Sequence, residues 1–214
     1  MILKQVVGSL IVMIVSIAGY KGGIGKTTTA IHLAAHFVGR ASTVLVDGDN
    51  IRSASQWNRD GGLPFKVVTE DQLGSAVTEY EHVIIDTQGR PEQEDLEELA
   101  HGSDLMIVPS FADAMSLRGL FMTVDALHDL GYQNRYVVLL TSVPPWPSRD
   151  GKDARKTLRD DGLAVIDGQI SQLSAFRKAA LAGVPVYEVK DRLARRAWSE
   201  YQKVGEEVLD KYGV

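Results

Sequence analysis

The 214-residue sequence contains no cysteine. That excludes disulfides, thiolate zinc sites and iron–sulfur clusters, and it fits a reducing compartment. An excess of positive charge is also missing: 23 Lys and Arg stand against 28 Asp and Glu, a formal charge of −5. The molecule as a whole is therefore no polyanion binder, and any nucleic-acid surface has to be a local patch. Low-complexity tracts, linkers and internal repeats are lacking too, and the length suits one domain able to bury its own core. The apolar stretch from Leu10 to Ala18, after Lys4, has the outline of a signal peptide. It is too short to span a bilayer as a helix, which takes ~20 residues. It also leads straight into a glycine-rich loop that needs a buried strand in front of it. The expectation is a core strand at 11–17, an overhang at 1–12 with Met13 as an alternative start, and a single domain at 13–214.

What is present is an alternation of apolar runs of strand length with segments of helical period. Residues 11–17 are β-branched and almost continuously apolar, as a parallel strand buried on both faces requires. Ala30, Leu33, Ala34 and Phe37 follow the i, i+3, i+4, i+7 spacing of a helix with one buried stripe, closed by Gly39. Further strands are predicted at 43–46, 65–68, 82–86, 105–109 and 136–141, with an extended segment at 163–166. Helices are predicted at 71–80, after Pro91, at 116–130, 153–161, 173–182 and 192–212. Glu92, Glu94, Asp95, Glu97 and Glu98 follow Pro91, where acidic side chains complement a helix dipole and form a solvated face. The order implies an α/β fold, a mostly parallel twisted sheet with helices on both faces.

The chemistry lies in Gly19-Tyr20-Lys21-Gly22-Gly23-Ile24-Gly25-Lys26-Thr27-Thr28, a P-loop between the first strand and the first helix. A triphosphate needs many donors at close range. Gly22, Gly23 and Gly25 let backbone N–H groups turn toward phosphates without Cβ clashes, and the helix N-terminus adds its dipole. Lys26 is expected to reach the β- and γ-phosphates, Thr27 to ligate Mg²⁺ and Thr28 to touch the phosphate chain further back. Ile24 completes the cradle. Asp86 ends the run Val83-Ile84-Ile85 and so emerges beside the loop, where an aspartate holds magnesium through water. Asp47 likewise ends Val44-Leu45-Val46 and opens Asp47-Gly48-Asp49-Asn50. No Asn-Lys-x-Asp guanine-reading segment follows a late strand; Thr141-Ser142-Val143-Pro144 occupies the comparable place, which favours ATP over GTP.

Lys21 narrows the field. The run from Lys21 to Thr28 resembles the deviant Walker A motif of the ParA/MinD family of ATPases. The resemblance continues through Val46-Asp47-Gly48-Asp49, Ile85-Asp86-Thr87 and Ile107-Val108-Pro109, and covers about 13–214. Length and the segment Ser53-Ala54-Ser55-Gln56-Trp57 look most like the small plasmid-partition ParA proteins. The resemblance implies a P-loop NTPase with ATP and Mg²⁺ as cofactors, and slow, partner-stimulated hydrolysis to ADP and phosphate. It implies Lys21 as a lysine acting across a nucleotide-sandwich homodimer, Lys26 as the phosphate lysine in cis and Asp47 as the residue positioning the attacking water. A lysine from a second subunit would stabilise charge on the transferred phosphoryl group as an arginine finger does. Two segments depart from the family: Asn50-Ile51 stands where it often has Pro-Gln, and Gln88-Gly89 where it often has Pro-Pro.

The resemblance further implies an ATP dimer that coats nucleoid DNA without sequence specificity, in the cytoplasm, released by a small ParB-like or cargo-adaptor protein. Basic residues Arg177, Lys178, Lys190, Arg192, Arg195, Arg196 and Lys203 are candidate DNA contacts in an otherwise acidic chain. Two alternatives share the fold. A MinD-like ATPase would end in a membrane-binding basic amphipathic helix, and the terminus Glu207 to Val214 makes a poor one. A dethiobiotin-synthetase-like ligase would need a substrate pocket that the sequence does not reveal. Trp146, among prolines, is expected to line a pocket or pack a dimer.

Overall fold

A computed structural model describes residues 13–76 and 78–213. The overhang at 1–12, and with it the first two residues of the expected first strand, lies outside them. The strands are β1 (Met13–Ile17), β2 (Thr43–Gly48), β3 (Lys66–Thr69), β4 (His82–Thr87), β5 (Leu105–Ser110) and β6 (Tyr136–Leu140). They form one sheet in the order β3-β2-β4-β1-β5-β6, with every pairing parallel. Every residue of β1, β4, β5 and β6 is buried, which is why these runs show no polar alternation. The expected extension at 163–166 makes only an isolated parallel bridge, Val138 to Val165.

The helices are α1 (Lys26–Phe37), α2 (Ser53–Trp57), α3 (Leu73–Ala76), α4 (Gln93–Gly102), α5 (Ala114–Asp129), α6 (Asp150–Asp160), α7 (Ser174–Ala182) and α8 (Ala194–Tyr212). Met13, Val15 and Ile17 share one core with α1, α2, α7 and α8. On the opposite face Met106, Val108, Val138 and Leu140 pack with α4, α5 and α6. Helices thus cover both faces of the sheet.

Two expectations are corrected. The helix predicted at 71–80 is a 3-10 turn (Glu70–Gln72) followed by the single turn α3. And α1 is not buried along one stripe: its buried residues run without a break from Thr29 to Phe37. The sheet covers one side and α8 the other. At the α1–α8 contact a Cβ on Gly205 would stand 2.3 Å from the His36 ring, so only glycine allows this approach. α8 in turn buries Ala197, Tyr201, Val204 and Val208 against the core, so its apolar side faces the protein. No helix among the described residues is long and apolar enough to cross a membrane.

Candidate active site

The order of strands creates the site. From β1 the chain crosses over β4 to β2, and from β4 it crosses over β1 to β5, so the C-terminal ends of β1, β4 and β5 open beside a topological switch point. The loop 18–25 leaves β1 there and runs into α1 with Gly25 at φ 90 and Gly23 at φ 75, conformations that L side chains rarely adopt. A Cβ on Gly22 or Gly23 would meet nothing within 4 Å, so the space in front of these amides is open. Non-glycine residues with positive φ also sit in loops at this edge: Arg52 after β2, Arg90 after β4 and Ser142 after β6. Local strain of this kind gathers where a site has to be held in one shape.

Two clefts meet at the loop. One, of about 620 Å³, is lined by Gly22, Gly23, Gly25, Lys26, Thr27 and Thr28, with Asp49, Asn50 and Gln88 opposite. The other, of about 710 Å³, shares Gly23, Gly25 and Thr28 and runs on past Phe111, Ser142, Leu173, Phe176 and Tyr201. The first matches a phosphate end and the second a nucleoside end of one elongated ligand. Thr141 Oγ1 donates to the Ile24 carbonyl at 2.8 Å and ties the loop to β6.

Lys26 is buried, and its Nζ donates to the Lys21 carbonyl at 3.1 Å. Burial lowers its pKa, while Asp86 and Asp49 oppose the shift. Asp86 is fully buried, and neither carboxylate oxygen has a hydrogen-bond partner. Burial pushes its pKa up to about 7, opposed by the neighbouring Thr27 hydroxyl, reinforced by Asp47 and Asp49, and opposed again by Lys26. An unsatisfied, desolvated carboxylate beside a hydroxyl is an oxygen donor set suited to a hard cation. Thr27 and Asp86 therefore fit magnesium.

Asp47 and Asp49 part company. Asp47 is fully buried and lines neither cleft. Its Oδ2 accepts Ser55 N at 2.8 Å and Ser55 Oγ at 2.5 Å, its Oδ1 accepts Asp49 N at 3.3 Å, and so it anchors α2. Asp49 lines the phosphate cleft, its carboxylate held by Ile51 N and Ser53 Oγ. Nothing in the sequence separates two aspartates flanking one glycine; strand alternation and burial do. The departures from the family pattern are partners: Asn50 Nδ2 donates to Gln88 Oε1 at 2.6 Å, and Gln88 Nε2 donates to Asp95 Oδ2 at 3.2 Å.

Lys21 lines neither cleft. Its Nζ donates to Ser116 Oγ at 2.6 Å and lies 3.9 Å from Asp113 Oδ1, at the N-terminus of α5. Asp113 caps that helix by accepting Ser116 N. In a single chain this lysine is parked on α5, at the rim of the site.

The seven basic candidates are all exposed but not equivalent. Lys178 pairs with Asp191 at 2.6 Å. Arg196 binds Glu200 Oε1 and Ser171 Oγ, and Glu200 also accepts Ser171 N, so this group holds the wall of the second cleft. Arg177 lines that cleft. Lys190, Arg192, Arg195 and Lys203 remain outside any salt bridge among the described residues. Trp146 is 90% exposed and lines neither cleft.

The family model for the CobQ/CobB/MinD/ParA nucleotide binding domain matches residues 15–186. The chain is 32% identical over 203 residues to the maintenance of carboxysome distribution protein A of Gloeobacter kilaueensis, covering 91% of this chain and 93% of that protein. Its fold is similar to an aspartate-to-alanine variant of McdA from Cyanothece in complex with ATP, with TM-score 0.68, 16% identity and coverage of 94% and 96% of the two chains. It is also similar to the septum site-determining protein MinD of Pyrococcus horikoshii complexed with Mg-ADP, with TM-score 0.69, 17% identity and coverage of 93% and 96%.

Proposed function

This chain belongs to the CobQ/CobB/MinD/ParA nucleotide-binding family, with an ATPase fold of the ParA/MinD type, and from that premise we propose that it positions a cargo inside the cell through an ATP-dependent homodimer. The observation that carries the reading is Lys21, which belongs to the phosphate loop in sequence yet rests on α5 outside its own phosphate cleft. A second subunit facing this edge would receive that lysine at its γ-phosphate.

Each residue then has a task. Gly22, Gly23 and Gly25 present amides to the phosphates, and Lys26, already partly desolvated, holds the β–γ bridge. Thr27 and Asp86 hold magnesium, which when bound neutralises charge on the phosphate oxygens. Asp49, and not Asp47, orients the attacking water, because it alone of the two lines the phosphate cleft. Lys21 from the partner stabilises the charge that builds on the transferred phosphoryl group. Lys190, Arg192, Arg195 and Lys203 supply weak, non-specific contacts to DNA phosphates, which a dimer doubles. A small activator protein bound to the cargo stimulates hydrolysis and resets the cycle. The cargo belongs to the class the relatives' names describe, a carboxysome-like body or a chromosome.

Sedimentation with Mg-ATP and with Mg-ADP tests the reading, combined with binding to random-sequence DNA across a salt series. A dimer is expected with ATP alone, with DNA affinity falling steeply as salt rises. An ATP-bound monomer, or DNA binding indifferent to nucleotide, would refute the positioning role.

A further inference from the structure

Arg177 stands apart from the other basic residues of its segment. It lies in the first turn of α7, exposed, in a helix whose first turn holds no acidic residue. Its neighbour Lys178 is neutralised by Asp191, whereas no salt bridge engages Arg177 among the described residues. A cation at a helix N-terminus works against the helix dipole, so an electron-rich ligand placed there would relieve an unfavourable local charge. The cleft beside it is such a place. Arg177 lines the 710 Å³ cleft whose opposite wall is Gly25 and Thr28 of the phosphate loop, with Leu173, Phe176 and Tyr201 between them.

We propose that Arg177 is a ligand of the nucleoside end of ATP, and not part of the DNA-binding surface. The inference rests on the ATP reading of the adjoining loop. With its phosphates along Gly22 to Thr28, an ATP molecule has its ribose and base in this second cleft, because Asp49, Thr87 and Gln88 wall off the other. The lining combines apolar Phe111, Leu173 and Phe176 with polar Ser171, Gln172 and Ser174, and Arg177 is the one cationic side chain among the described residues that line it. A planar guanidinium in that setting can lie over the face of a purine and donate to ribose hydroxyls, both stronger in a partly desolvated cleft than in water. The wall that carries it is fixed: Ser171 donates to Glu200 from both N and Oγ at 2.7 Å, and Arg196 braces the same pair. Arg177 thus stands at the mouth of a preformed site rather than on a free surface, which lowers the entropy lost on binding.

Titration calorimetry with Mg-ATP on the wild-type chain, Arg177→Ala and Arg177→Gln tests this, with Arg195→Ala as the control from the DNA-facing set. Mg-tripolyphosphate is run as a competitor in each, and DNA binding is measured at saturating ATP. The expected result is an ATP affinity weakened on the order of tenfold in both Arg177 variants. The tripolyphosphate affinity extracted from the competition and the DNA affinity stay unchanged, whereas Arg195→Ala keeps its ATP affinity and loses DNA binding. An unaltered ATP affinity in folded Arg177 variants overturns the proposal, and a loss of DNA binding there would return Arg177 to the DNA surface. Equal weakening of ATP and tripolyphosphate also overturns it, since the contact would then be to phosphates. Thermal melts show whether either variant is folded, and the glutamine variant keeps the helix propensity and much of the length. A wild-type chain that binds no ATP would instead be a failure of the ATP reading itself.

Discussion

At the scale of single residues, the proposed hydrolysis turns on which carboxylate and which lysine face the phosphates. The motif made it legible from sequence that Lys26, Thr27 and the three glycines would share one cleft, because that placement depends on local backbone shape. The aspartates were not legible in the same way. Asp47 and Asp49 both follow an apolar strand, and only their placement shows one buried against Ser55 and the other on the cleft. Substituting each separates the roles. Asp49→Ala should retain the fold and ATP binding and lower turnover about a hundredfold, as loss of a group acting on the transition state does. Asp47→Ala takes the acceptor from the half-buried Ser55 donors and should lower stability by about 1 kcal/mol, read as a shift in the thermal midpoint. Turnover lost in Asp47→Ala with its stability intact would reverse the assignment. Lys21 is a different case. Its sequence position marks the family, but its resting contact with Ser116 involves a helix almost a hundred residues away that no local pattern reveals.

At the scale of elements, the sheet was legible and the surroundings of its helices were not. Continuous apolar runs gave the buried strands to within one or two residues. The α1 stripe was read too narrowly because its second neighbour, α8, comes far later in the chain. The consequence centres on His32. Its ring stacks on Tyr201 of α8 at 4.8 Å, Nδ1 donates to the Thr28 carbonyl, and Nε2 accepts Val186 N. Both nitrogens are used by the neutral ring, and a second proton on Nε2 would face a donor. Burial first of all lowers its pKa from 6.5 to about 4, with the Thr28 carbonyl opposing. The folded pKa lies below the unfolded one, so the unfolded chain takes up the proton first as pH falls. Stability is full above about pH 6.5 and declines toward pH 4, by roughly 3 kcal/mol from this group. Burial lowers the pKa of His36 and His82 as well, which adds in the same direction. Denaturant melts from pH 8 to pH 4 should show this slope, flattened in His32→Gln. An equal slope in that variant would show that other groups carry the acid sensitivity.

At the scale of the whole molecule, a net charge of −5 conceals a division of labour. Of the seven basic residues counted as one patch, Lys178 and Arg196 are tied to carboxylates and Arg177 opens onto the second cleft, which leaves four for the proposed contact with DNA. Counting charges along the chain could not distinguish them, because their partners come from other elements or sit on a neighbouring turn. The same holds for the site itself. In the proposed site one chain would supply the phosphate cradle, the magnesium ligands and Asp49, while Lys21 stays outside its own cleft. Two copies facing each other would complete two sites by exchanging that lysine. The most direct test mixes Lys21→Ala with Asp49→Ala, two variants expected to bind ATP but not hydrolyse it. In a mixed dimer one site has its own Asp49 and receives Lys21 from the other subunit. Equal amounts should regain roughly a quarter of wild-type turnover, since about half the dimers are mixed and each has one complete site. A mixture as inactive as its components, under conditions where mixed dimers are shown to form, would contradict the account and place Lys21 in the service of its own subunit.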